Sequence, residues 1–111
     1  MKKLLAFLAM YVLALPAFPE AAYDWEISGV HITAIEATYM PSTLVFTVDA
    51  NAGSCGVGAR LTWSSSASDQ ATMQANHKAI YALLLASKLS GSTVRMFGSN
   101  SGCLVKFIYS A

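Results

Sequence analysis

At 111 residues the chain has room for one domain. Only 12% of its residues are charged and the formal net charge is +1, so there is no basic surface of the kind that nucleic acid requires. Two cysteines and two histidines lie far apart, and no cluster has metal-ligand spacing.

The first stretch reads as a secretory signal peptide. Lys2 and Lys3 form a positive start, residues 4–15 are apolar and uncharged, and Pro16 breaks the run before small residues. The run is too short for a transmembrane anchor, which needs roughly 20 apolar residues. Cleavage is expected after Ala17, or as late as Ala22, so residues 1–17 are leader and 23–111 a single domain. Without Lys2 and Lys3, five basic residues face six acidic ones. A surface this poor in charge permits self-association, a monomer with a Ser/Thr/Asn surface being the alternative. Export to the periplasm or beyond also places Cys55 and Cys103 where a disulfide persists. That bridge would stabilise the fold by roughly 4 kcal/mol in the chain-entropy picture. A metal pair or a catalytic thiol would need partners that neither cysteine has nearby.

The elements follow in chain order. Residues 18–26 have no period and read as a loose segment. Residues 27–39 form a long first strand whose apolar phase slips between Ile32 and Ile35, the mark of a β-bulge. Met40-Pro41-Ser42 is a turn. Residues 43–49 form a second strand, with Leu44, Phe46 and Val48 inward and Val45 and Thr47 outward. Residues 50–58 are a loop carrying Cys55, with neither the lysine nor the hydroxyl of a phosphate loop. Residues 59–64 form a third strand with Leu61 and Trp63 on one face.

The helix 69–90 follows. Asp69 or Ser68 caps it, Lys88 suits its last turn and Gly91 stops it. Met73, His77, Ile80, Leu84 and Lys88 step along one face, widened by Tyr81, Leu85 and Leu89. Few polar residues follow Ala79, so cover on more than one side is expected. Residues 93–97 form a fourth strand with Arg95 outward, 98–102 a hairpin loop, and 103–109 a fifth strand. The fold class is therefore mainly β (α+β), in the order β-β-β-α-β-β. This matches a five-stranded oligosaccharide/oligonucleotide-binding (OB) barrel, whose long first strand bends to serve both halves. An open antiparallel sheet on one helix is the alternative.

Two resemblances bear on this expectation. Cys55, the helix KAIYALLLASKLSG at 78–91, the strand at 94–98 and Cys103 resemble a set of small exported two-cysteine bacterial proteins of unknown function. That likeness implies a fold and a disulfide. Ser28-Gly29-Val30-His31-Ile32-Thr33, with Ser90-Gly91-Ser92-Thr93-Val94-Arg95-Met96, resembles the binding subunits of pertussis-like and subtilase-type AB5 toxins. Those subunits are OB barrels that form pentameric rings with an enzymatic subunit and bind cell-surface sugars. The resemblance implies a homo-oligomer, a glycan ligand and an exported enzymatic partner.

The residues suggest a binding protein and no enzyme. No serine sits in a nucleophile elbow and no two acids are placed as in a glycosidase. A small hydrolase would rest on His31 and Glu36 alone, and His77 on the helix stripe reads as a hydrogen-bonded core residue. No cofactor or metal is expected. Sugar sites combine an aromatic platform with hydroxyl, amide and arginine donors, because a sugar has an apolar face and a polar rim. Trp63 with Arg60, Thr62 and Ser64 forms such a candidate site, and Tyr39 is a further candidate. The competing and favoured reading packs Trp63 against Leu61 in the core and turns Arg60 outward. The functional expectation is an exported, non-catalytic binding module. The alternative is a monomeric periplasmic or secreted protein of structural or inhibitory role.

Overall fold

The structure, a computed structural model, describes residues 23–111. The expected leader lies outside the described residues. Six strands and one long helix follow in the order β1 (Trp25–Val30), β2 (Ile32–Glu36), β3 (Leu44–Val48), β4 (Leu61–Trp63), α1 (Gln70–Ser90), β5 (Val94–Ser99) and β6 (Leu104–Ser110). A short 3-10 turn, Ser101–Cys103, joins the last two strands.

The expected count of five strands is corrected to six, because the long first strand is broken. Trp25 and Glu26 already belong to β1, so the last two residues of the segment expected to be loose start the sheet, while its residues 18–22 lie outside the described residues. The break falls at His31, between β1 and β2. Gly29 has φ +67°, and the register slips between Ile27 and Val30 and again between Ile32 and Ala34. A backbone in this left-handed region turns the strand, and glycine adopts it without a Cβ penalty. The turn lets β1 pair with β5 while β2 pairs with β3. β2 ends at Glu36, short of the expected Tyr39, because the amides of Met40, Ser42 and Thr43 bond back to the carbonyls of Ala37 and Tyr39.

The strands form one curled mixed sheet, a half-barrel, in the order β1-β5-β6-β4-β3-β2. Every pairing is antiparallel except β4 with β6. The two edge strands, β1 and β2, are consecutive in the chain, so the sheet curls back towards itself through the bend at His31. Leu44, Phe46, Leu61, Val94 and Met96 fill the concave side and are almost wholly buried. Val45, expected outward, is buried as well. It pairs with Glu36 and Thr62, which share its face and are themselves only partly exposed.

The helix closes one side of the core. Asp69 caps it, its carboxylate accepting from Thr72 N (2.8 Å) and from Thr72 Oγ1 (2.7 Å), and Gly91 ends it at φ 72°. His77, Leu84 and Ser87 are buried against the sheet, with Ile80, Tyr81 and Leu83 partly so. The expectation of cover on more than one side is not met among the described residues. Leu89 is 77% exposed, and Ala79, Ala82, Ala86 and Lys88 are exposed too. A single curled sheet can cover only one stripe of a helix. No helix among the described residues is long and apolar enough to cross a membrane.

Cys55 and Cys103 form the expected disulfide, with Cα atoms 6.0 Å apart and a sequence separation of 48. It ties the loop before β4 to the turn before β6. Trp25 packs in the same core cluster, in close approach to Gly53 and Gly98. Asp24 fixes the turn from outside, accepting from Ser99 Oγ and Asn100 N at 3.0 Å each. Asn100 Oδ1 in turn accepts from Ser54 N at 2.9 Å.

Candidate functional site

β4 and β6 run side by side for only two residue pairs, Thr62 with Leu104 and Trp63 with Val105. The chain then leaves β4 through Ser64, Ser65 and Ser66 towards the helix, while β6 continues along β5. A cavity of about 420 Å³ opens where the two strands part. Trp63 and Phe107 are the aromatic residues that line it, and Leu104 and Val105 add apolar surface. Thr62 and the three serines bring hydroxyls, Asn76 of α1 brings an amide, and Lys106 brings the cavity's one charged side chain. Lys106 makes no ion pair among the described residues.

Several of these polar groups are already held in place. Asn76 Nδ2 donates to Ser65 Oγ at 2.9 Å, and Ser65 Oγ also accepts from Ala67 N at 3.1 Å. Thr43 Oγ1 donates to the Trp63 carbonyl at 3.1 Å and lies 2.8 Å from Ser64 Oγ. Trp63 is partly buried, packs against the core cluster, and meets the His77 ring edge-on with centroids 5.0 Å apart. His77 Nδ1 donates to the Met73 carbonyl at 2.8 Å, whereas its Nε2 is buried without a partner. The helix thus contributes Asn76 to the cavity and a histidine that braces its tryptophan.

The five residues expected from sequence to form a site fall into two groups. Thr62, Trp63 and Ser64 line the cavity, and Trp63 also packs against the core cluster. Arg60 and Tyr39 do not line it. Arg60 Nη2 donates to Glu36 Oε2 (2.7 Å) and to Tyr39 Oη (2.8 Å), and its guanidinium lies 5.9 Å from the Tyr39 ring centroid. The Tyr39 hydrogen bond, then the Glu36 charge, raise the Arg60 pKa above its ordinary value. Within this exposed cluster Arg60 Nη2 is shared between Glu36 and Tyr39.

Sequence reasoning missed Ser65, Ser66, Asn76, Lys106 and Phe107. The run Trp63-Ser64-Ser65-Ser66 was a signal for a polar mouth beside an aromatic ring. Nothing in the sequence places Phe107 there, because its orientation depends on a slip in the β5–β6 register. Phe97 pairs with Phe107 but Gly98 pairs with Val105, leaving Lys106 as the extra residue.

A further polar pair lies at the bend. His31 Nδ1 donates to Asp49 Oδ2 at 2.8 Å, while Glu36 is engaged by Arg60. His31 and Glu36, on which a hydrolase would rest, are thus held by different partners, Asp49 and Arg60. Among the described residues no group of three or more His, Cys, Asp or Glu side chains is disposed to hold a metal ion. Comparison with protein-family models, with curated proteins and with solved structures yields no match.

Proposed function

We propose that the chain is an exported, non-catalytic binding module of OB type that takes a glycan in the cavity between β4 and β6. The cavity carries the reading. Its lining joins two aromatic residues with hydroxyls, an amide and an ammonium, the residue types that complement a sugar's apolar face and polar edge. Support for the OB path comes from the strand order. With β1 and β2 counted as halves of one bent strand, the sheet runs first, second, third, fifth, fourth and back to the first. The third and fifth strands are parallel, and the helix lies between the third and fourth. The test is a broad glycan array probed with the oxidised mature protein and with Phe107→Ala. Binding to a sugar, weakened at least tenfold by the substitution, is expected. Binding to no sugar overturns the reading.

The exposed face of α1 favours a second element of the proposal, assembly of several copies as in a toxin binding subunit. Ala79, Ala82, Ala86 and Leu89 lie uncovered on a surface with few charges. Light scattering of the mature protein should then give a mass near five protomers, and Leu89→Glu should reduce it to one. A monomer mass for the unsubstituted protein removes the ring and leaves a monomeric exported protein.

A further inference from the structure

The outer face of β5 and β6 carries a group of aromatic side chains that the cavity does not account for. Phe107 and Tyr109 are 47% and 50% exposed. They alternate along β6 and so stand on the same face, about 7 Å apart along the strand. Phe97, paired with Phe107 across the ladder and so beside it on the same face, is only 8% exposed. Its ring meets Phe107 edge-on at 6.3 Å and Tyr109 edge-on at 5.8 Å. Tyr23 packs on Phe97 from the β1 side at 4.6 Å, and the Arg95 guanidinium lies 4.9 Å from the Phe97 centroid. Arg95 is held there by Glu26, with Nη2 to carboxylate distances of 3.2 and 3.3 Å.

This arrangement fixes the exposed rings. A buried phenylalanine props two half-exposed aromatic rings whose outer surfaces have no partner among the described residues, and a charged pair borders them. The row is also continuous with the cavity, because Phe107 is at once a cavity wall and the first ring of the row. A single sugar in the cavity would leave Tyr109 uncovered.

We infer that the ligand is an extended chain of β-1,4-linked, equatorially substituted pyranoses, with one ring in the cavity and the next over the Phe107–Tyr109 row. This rests on the glycan reading above and adds the length and linkage of the ligand. Equatorial substitution puts axial C–H bonds on both ring faces and the hydroxyls around the edge. Each successive residue of such a chain therefore offers an aromatic ring a flat apolar face. An axial hydroxyl or a bent linkage would turn a polar group onto the ring instead. The hydroxyls and amides at the edge meet the serines and Asn76 at the cavity and the Arg95–Glu26 pair beyond it.

The experiment is calorimetric titration of the oxidised mature protein with N-acetylglucosamine and with its β-1,4-linked dimer and tetramer. Affinity is expected to rise at least tenfold from the single sugar to the tetramer. In Tyr109→Ala that ratio should fall towards unity, with the far-ultraviolet spectrum confirming the fold. Equal affinity for all three lengths, or a ratio that Tyr109→Ala leaves intact, overturns the chain while leaving the cavity reading in place. Binding confined to α-linked glycans or to proline-rich peptides overturns the linkage proposed here. Failure of all three sugars, together with an empty glycan array, overturns both.

Discussion

His31 and Asp49 hold the bend between β1 and β2 through two hydrogen bonds. The His31 amide donates to Asp49 Oδ1 and its Nδ1 donates to Asp49 Oδ2, each at 2.8 Å. The Asp49 amide returns a third bond to the His31 carbonyl at 3.2 Å. One aspartate therefore satisfies the backbone exactly where it leaves the ladder, which is where a strand break would otherwise expose unpaired groups.

This clamp predicts an acid limit to stability. The His31 backbone amide, then its side chain, lower the Asp49 pKa below the ordinary value of 3.8. Asp24 is lowered by Asn100 N–H and then by the Ser99 hydroxyl, and Asp69 by the Thr72 hydroxyl and then its amide. A carboxylate depressed in the folded state contributes stability that is present above its unfolded pKa and is lost as pH falls through the folded value. Urea midpoints should therefore hold steady down to about pH 4 and fall below it. In the triple variant Asp24→Asn, Asp49→Asn, Asp69→Asn the fall between pH 4 and 2 should flatten. An unchanged slope would place the acid sensitivity elsewhere.

Gly98 should be among the least replaceable residues. A Cβ there would collide with the Trp25 ring and with the Leu104 carbonyl oxygen, and the second of these is backbone that cannot move aside. Gly98→Ala should cost about 3 kcal/mol, as overpacking of a tight core site does. Gly29→Ala meets no atom, yet it must hold φ +67°, and so should cost about 1 kcal/mol. Urea unfolding of both variants checks the order. A milder effect at Gly98 than at Gly29 would contradict the close approach of Trp25.

Much of this architecture was legible because its signals are local. Asp69, Lys88 and Gly91 mark the helix within a residue at each end, and the slip of apolar phase after Ile32 marks the bend. Two cysteines in one chain leave a single intramolecular pairing. The site was less legible, because it depends on partners distant in sequence. Arg60 lies one residue before β4, and only the β2–β3–β4 register brings it to Glu36 and Tyr39, away from Trp63. Phe107 reaches the cavity because Lys106 is the extra residue opposite Phe97 and Gly98. Neither register is written in the alternation of the strands themselves.

The disulfide should carry a large share of the stability. It closes a long loop, and on loop length alone its removal costs about 4 kcal/mol. The double variant Cys55→Ala, Cys103→Ala should therefore unfold at a markedly lower urea concentration than the oxidised protein. Thiol titration of the denatured, unreduced protein should find no free thiol. Two free thiols would contradict the bridge, and an unchanged midpoint would show that the core holds without it.

His77 predicts a gain. Its ring is fully buried, and Nδ1 is satisfied by the Met73 carbonyl, but Nε2 has no partner. A buried acceptor without a donor costs about 1–3 kcal/mol, whereas an apolar group of similar shape carries no such cost. Leucine loses the Nδ1 bond, yet the Met73 carbonyl lies within the helix ladder and keeps a backbone donor there. His77→Leu should therefore raise stability by about 1 kcal/mol, read as a higher urea midpoint. The Trp63 edge contact is the opposing effect, since aromatic pairs contribute about 0.5–1.5 kcal/mol beyond area. His77→Phe keeps an aromatic ring against Trp63 and drops both nitrogens, and so should match or exceed the leucine variant. If both substitutions destabilise by more than about 2 kcal/mol, Nε2 is satisfied in solution by a buried water, of the kind that bridges otherwise unpaired polar groups.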